Sequence, residues 1–481
     1  MGNVNIISTL ENRKRQKKSV FNTSSTVFFG IYNEEKQIDT EVSLLNHFII
    51  KRNILDAVAR VEFKDFNGNE VKSFKIKFNE ERVYSIKISD YFEDSFIGSI
   101  FVFFESNENL GVPFCAVFCS IKSPKSVCGV HTYGRRLEKQ EYGTGIELSE
   151  TIETGWTVRD SKLIKSFSVL HGGEFKMNLK IRVDITNIKG EVFSFNKDFV
   201  LHPFGTLLII PQDLSIGLIE HLDGDKGHAK VYIKGLKGIF PRMMCGNSHF
   251  KENTNIKLLN AEEIQFTHTN FDFSSIIQPD AGGSFGYYNQ PSLPDGYGIA
   301  YPVETQKKIY IGDNQYISNS LHEFQIKPMS QIPIKCENEN LPSRFVTAAV
   351  GVWKNSNLES ECSTGTFIED YIKVPCHWHW GLLKPGIEDG KGEISIIFNK
   401  FKNNKISSRK LKIRIFNEQK LLKEKDFTID GSSLIKTEDL LTQHISNSSM
   451  WYVLSGDKLE DLNIFSTFYP ENKSGFTEHA F

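Results

Sequence analysis

Alternation of apolar and polar residues with a period of two governs most of this chain, and that pattern admits a half-buried strand and little else. Tyr84, Ile86 and Ile88 alternate with Ser85 and Lys87, Phe74, Ile76 and Phe78 with Lys75 and Lys77, and Leu411, Ile413 and Ile415 with Lys412 and Arg414. Asn67-Gly68, between Val61/Phe63 and Val71/Phe74, reads as a hairpin turn. Helical signals are short: Pro211 to Leu222, which opens on a proline, and Thr437 to Ile445, with acids in its first turn. The fold expected is all-β, built of antiparallel sandwiches.

A weak internal repeat divides the chain further. Arg60 to Phe63 lead through a turn to Glu70-Val71-Lys72-Ser73-Phe74, Ile181 to Ile185 to Glu191-Val192-Phe193-Ser194-Phe195, and Lys412 to Phe416 to Lys420-Leu421-Leu422. Each copy then reaches an acid followed by a large apolar residue: Asp90-Tyr91, Asp213-Leu214 and Asp439-Leu440. These acids lie 19, 21 and 18 residues beyond Val71, Val192 and Leu421. Another strand follows in each copy, at Ile100 to Phe104, Ala229 to Ile233 and Trp451 to Leu454. The reading is a duplicated module; the alternative is that any three sandwich segments share this rhythm. Three related β-sandwich modules are therefore expected, over 27–140, 160–275 and 377–481, with an N-terminal arm over 1–26. The inserted segment 276–376 opens as a Gly, Pro and Tyr-rich loop and recovers strands at Lys308 to Ile311 and Phe345 to Val352.

Charge and cysteine usage exclude several classes. Fifty-seven Lys and Arg against 59 Asp and Glu leave a formal charge of −2, which gives no field for steering polyanions. Nucleic acid is thus not an expected partner, apart from a basic run at Arg13, Lys14, Arg15, Lys17 and Lys18 in the arm. No apolar run reaches the length of a membrane span, and the first 25 residues lack the apolar core of a signal peptide. Seven cysteines, an odd number scattered along the chain, read as reduced thiols and point to the cytoplasm.

Histidines among aromatics are the residues best suited to chemistry. His131 follows Cys128-Gly129-Val130, and His479 stands in Glu478-His479-Ala480-Phe481, lying 41 and 40 residues beyond the acid of its module. The second module offers His249, 36 residues beyond Asp213, and His268, 55 beyond it. If the modules pack around a common axis these side chains converge, and a divalent transition metal is the cofactor that imidazoles would take. The same equivalence also suits a histidine that merely caps a sheet end. Cys376-His377-Trp378-His379-Trp380 places His377 and His379 on one face of a strand, able to chelate one ion. A cupin-type site would add a carboxylate a few residues on, but the next acid is Glu388, so that spacing is not met.

Tyr287, Tyr288 and Tyr297, with Trp378 and Trp380, are candidates for stacking on a glycan, and Arg135 for holding an anion. Gly282-Gly283-Ser284-Phe285-Gly286 has the letters of a nucleophile elbow without its strand and helix, and no phosphate loop, dinucleotide fingerprint or paired Cys-x-x-Cys is present. The leading expectation is a non-catalytic binding or assembly protein whose ligand is a glycan or a partner protein, a virion structural role and a homo-oligomer included. The alternative is a metal-dependent enzyme acting on a carbohydrate-like substrate. In that enzyme His131, His479 and Glu478 carry catalysis, and the metal is held between modules by His131, His249, His268, His377, His379 and His479.

Overall fold

A computed structural model of the chain describes residues 19–111, 115–131, 134–142, 151–159, 161–224, 226–240, 242–252, 257–267, 270–272, 285–302, 308–317, 319–336, 347–367, 376–398, 408–441 and 445–481. The basic run of the arm and His268 lie outside them. The alternating segments are strands, paired antiparallel throughout the named sheets.

The first sandwich sets the pattern. Its strands are β1 (Thr23–Tyr32), β2 (Asp39–Leu45), β3 (Val58–Lys64), β4 (Glu70–Lys77), β5 (Val83–Lys87), β6 (Phe96–Glu105), β7 (Phe118–Lys122) and β8 (Val127–Val130). They form one sheet in the order β1-β6-β3-β4 and a second in the order β5-β2-β7-β8. Apolar residues of both sheets, among them Phe28, Val61, Ile100 and Phe104 from the first and Val42, Ile86, Cys119 and Ile121 from the second, share one core. The Asn67-Gly68 turn joins β3 to β4 as expected, with the Asp65 carboxylate accepting from the backbone amides of Asn67 and Asn69 at 2.9 Å each.

The same order of eight strands recurs in every later pair of sheets. The second sandwich runs from Thr151–Arg159 to Glu263–Thr267 and adds Asn270–Asp272 beside its first strand. The last runs from Trp378–Lys384 to Phe476–His479. The repeat read in the sequence falls on matching elements of these three: strands three and four, the helical turn after strand five that carries Asp90, Asp213 or Asp439, and strand six. The helix expected over 211–222 is two short helices, Pro211–Leu214 and Leu218–Leu222.

Where three modules and an inserted segment were expected, the described strands form four pairs of sheets. The segment 276–376 contains the additional pair, from Phe285–Gln290 to Ser360–Ser363, with Gly365–Phe367 added beside its first strand. Its strands three, four and five span only 4, 4 and 3 residues, too few for alternation to register, and no acid-apolar pair follows strand five. Tyr288, Ile309, Ile311, Phe324, Ile334 and Ala349 supply its core from both sheets.

The four sandwiches close on one another. In each, strand eight is the edge of the second sheet, and an open edge leaves backbone donors and acceptors unpaired. Here the edges cover each other: β8 lies beside Glu263–Thr267 and Phe476–His479, and Ser360–Ser363 lies beside the same two. First and last sandwiches therefore meet directly. Ser126 and Ser474 form a parallel bridge, with the Val127 amide donating to Ser474 O at 2.8 Å and the Ser474 amide to Lys125 O at 3.0 Å. Gly129 permits the approach, since a Cβ there would stand 2.7 Å from the Phe476 ring.

No helix among the described residues is long and apolar enough to cross a membrane, and the described cysteines form no disulfide.

Candidate functional site

At the joint between first and last sandwiches an apolar cluster forms from both partners. Leu45, Val83, Phe118 and Val127 meet Leu382, Phe416, Trp451, Val453, Phe468 and Phe476. Trp451 is fully buried, and its indole N–H donates to Ser43 Oγ at 3.1 Å. Such a contact fixes the relative position of β8 and Phe476–His479, and thereby of the side chains at their ends.

His131 directly follows β8, and Glu478 and His479 end the last strand. The ligand atoms of these three side chains all lie within 4.8 Å of one another, the one such group of His, Cys, Asp or Glu among the described residues. Glu478 Oε1 stands 3.4 Å from His131 Nδ1 and 2.7 Å from His479 Nδ1. The imidazoles meet edge to face with centroids 4.3 Å apart, and the Phe481 ring lies 4.7 Å from that of His131. His131 and Glu478 are buried, and His479 is partly exposed.

Two neighbours of this group were not singled out in the sequence. Cys362, on strand eight of the third sandwich, is buried, and burial raises its thiol well above the ordinary value, with the Glu478 charge acting in the same direction. Phe481 stacks on Trp380 and Trp451 with centroids 6.2 and 6.1 Å away, and its carbonyl faces His379 Nδ1 at 3.2 Å. Nothing in the pattern of an apolar strand or a terminal phenylalanine distinguishes these from ordinary core residues.

The remaining candidates are not brought to this place. His249 ends strand seven of the second sandwich, paired in register with Glu263, and burial lowers its pKa. His377 is exposed and faces Asp457 at 4.0 Å, whereas His379 turns Nε2 toward Cys376 Sγ at 3.6 Å and Leu459 O at 3.3 Å. The two imidazoles thus face different groups, with His377 preceding the strand Trp378–Lys384 and His379 lying within it.

Of the side chains proposed for ligands, Arg135, Tyr288 and Tyr297 are buried, and Tyr287, Trp378 and Trp380 are half-buried. Arg135 is buried, and its two terminal nitrogens donate to Glu141 at 2.6 and 2.7 Å. Tyr288 is fully buried with its hydroxyl on Gln290. Tyr297 is buried where the second and third sandwiches meet, 3.0 Å from Lys226 Nζ and 3.1 Å from Glu359 Oε1. Tyr287 is half-buried on the strand Phe285–Gln290, and Tyr297 opens the strand Tyr297–Ala300, so strands occupy much of the expected Tyr-rich loop. Trp380 lies under Lys51 Nζ at 4.3 Å and beside His47 at 6.0 Å, and Trp378 lies under Arg414 at 5.2 Å.

No protein-family model and no curated protein matches the chain.

Ionisable groups buried in the joints are the other concentration of unusual chemistry. Glu41, on β2, meets the Ser449 hydroxyl of the last sandwich, and burial pushes its carboxyl from 4.5 up to about 7. Glu361, between the second and third sandwiches, is raised to about 7 by burial against the opposing hydrogen bonds of Thr157 and Tyr301. Glu263 is fully buried and caps the turn 356–358, accepting from the amides of Asn357 at 2.8 Å and Leu358 at 3.2 Å. Its other oxygen accepts from Asn357 Nδ2 at 2.7 Å.

Proposed function

We propose that the chain is a non-catalytic assembly protein, a rigid ring of four sandwiches that presents its outer surface to protein partners, copies of itself included. The observation that carries this reading is the use of the reactive side chains. Glu41 and Glu263 are buried, and Glu361 half-buried, in joints between sandwiches and hydrogen-bonded there, and Arg135 is buried on Glu141. Burial raises the Cys115 thiol to about 12 and that of Cys119 well above its ordinary value, whereas that of the half-buried Cys376, beside His379, is lowered. A protein partner is favoured over a glycan because Tyr288 and Tyr297 are buried in the interior of the molecule or a joint rather than lining an open groove.

Sedimentation velocity of the purified full chain over a wide concentration range tests the assembly reading. Discrete higher species that grow with concentration are expected. A strict monomer at the highest concentration would overturn it.

A second reading, a metal-dependent enzyme, draws support from the grouping of His131, Glu478 and His479 alone. Burial of His131 and Glu478 argues against a substrate reaching an ion held there.

A further inference from the structure

We propose that His131, Glu478 and His479 bind one divalent transition metal, of the zinc class, that fastens the first sandwich to the last and so locks the ring. This site is independent of the assembly reading.

The ligand set is two imidazoles and a carboxylate, a donor combination suited to zinc and its neighbours. Tetrahedral bonds of about 2.0–2.1 Å hold neighbouring ligand atoms roughly 3.4 Å apart. Glu478 Oε1 stands 3.4 Å from His131 Nδ1 and 2.7 Å from His479 Nδ1, and the widest separation in the group is within 4.8 Å, so side-chain rotations that part His479 from Glu478 bring all three to one ion. Before binding, each imidazole nitrogen used must hold no proton, and any proton on it passes to the other ring nitrogen or to solvent.

Placement makes the proposed ion a fastener. His131 belongs to the first sandwich and the other two ligands to the last, and these are the units furthest apart in sequence. An ion bound to both spans the joint at the end of β8, beyond the Ser126–Ser474 bridge that ties its beginning. Cys362 is carried on a strand of the third sandwich that lies beside Phe476–His479, but its thiol is outside the group of ligand atoms.

The test uses the full chain, produced without a histidine tag, stripped with a chelator and titrated with zinc and with cobalt. Native mass spectrometry, thermal unfolding and the visible absorption of cobalt are read on the wild type and on the Glu478→Gln and His377→Ala variants. One zinc per chain, a raised Tm and a tetrahedral cobalt spectrum are expected for the wild type and for His377→Ala. Glu478→Gln keeps the shape of the side chain and is expected to lose metal affinity by more than about tenfold, along with the rise in Tm. If Glu478→Gln unfolds early without metal, His479→Gln, at the partly exposed ligand, takes its place. The proposal is overturned if the wild type retains no equimolar zinc, or if the variant at the ligand binds zinc and gains Tm as the wild type does. Loss of metal in His377→Ala would overturn it too, since it would move the site to the exposed His377.

Discussion

Replacing Glu41 by glutamine should remove a pH dependence that the ring's closing joint builds into stability. Glu41 is 1% exposed, and burial raises its carboxyl from 4.5 to about 7, opposed by the Ser449 hydroxyl and Lys87 and reinforced by the Glu418 charge. Between those two values the folded chain keeps a proton that the unfolded chain has released. Unfolding free energy therefore falls as pH rises through this interval, and the loss is complete above about 7. At 1.36 kcal/mol per pH unit, a rise of this size is worth about 3 kcal/mol. Glutamine keeps the volume and an oxygen that accepts from Ser449, but it cannot ionise. Urea unfolding, followed by tryptophan fluorescence to which Trp451 and Trp380 contribute, is compared for the two proteins at about pH 5 and about pH 8.5. Any fixed cost of the amide cancels in the difference between the two conditions. The wild type should lose about 3 kcal/mol more than the variant on going from acid to alkaline. Parallel losses in both proteins would refute the assignment of a buried, proton-holding carboxyl to this joint.

Two further substitutions probe the joints. Trp451→Ala empties a fully buried site packed on Phe118 and Phe481 and removes the donor to Ser43, so a destabilisation of about 3–5 kcal/mol is expected, read by calorimetry. Small-angle scattering of the same variant should show a larger radius of gyration if the ring opens between first and last sandwiches. Glu263→Ala leaves the turn 356–358 without its buried acceptors and should cost at least about 2 kcal/mol, with faster amide exchange at Asn357 and Leu358.

Much of the fold was legible because strands three and four are long in three sandwiches. Met177–Asn187 alternates buried and exposed residues over most of its length, and its partner Val192–Leu201 is mostly exposed, so both the period and the edge are visible in the residues. The third sandwich is hidden in the sequence for the opposite reason. A strand such as Lys308–Ile311 shows two alternations at most, and Pro291, Pro294 and Gly296 between its first two strands imitate an irregular loop. Shared topology survives there in the hydrogen-bond order, which a single sequence does not display.

The candidate site divides along a different line. His131 and His479 could be paired from sequence because each stands at the end of the eighth strand of its module, and the closed arrangement of eighth strands makes equivalent ends adjacent. Equivalence in a repeat is thus information about distance once the repeat closes on itself. Glu41 shows where this stops. In Asp39–Leu45 it alternates with Val42 and Leu44, which marks its face as the wet side of a strand. That face is instead covered by the last sandwich, through Ser449 and, one alternation further, the indole of Trp451 on Ser43. Polar residues on the outer face of an isolated sandwich and polar residues in a joint between sandwiches obey the same period. Only the packing of the fourth unit against the first separates them, and it does so by removing water from a carboxylate, which is why the strongest chemical signals of this molecule lie in its joints.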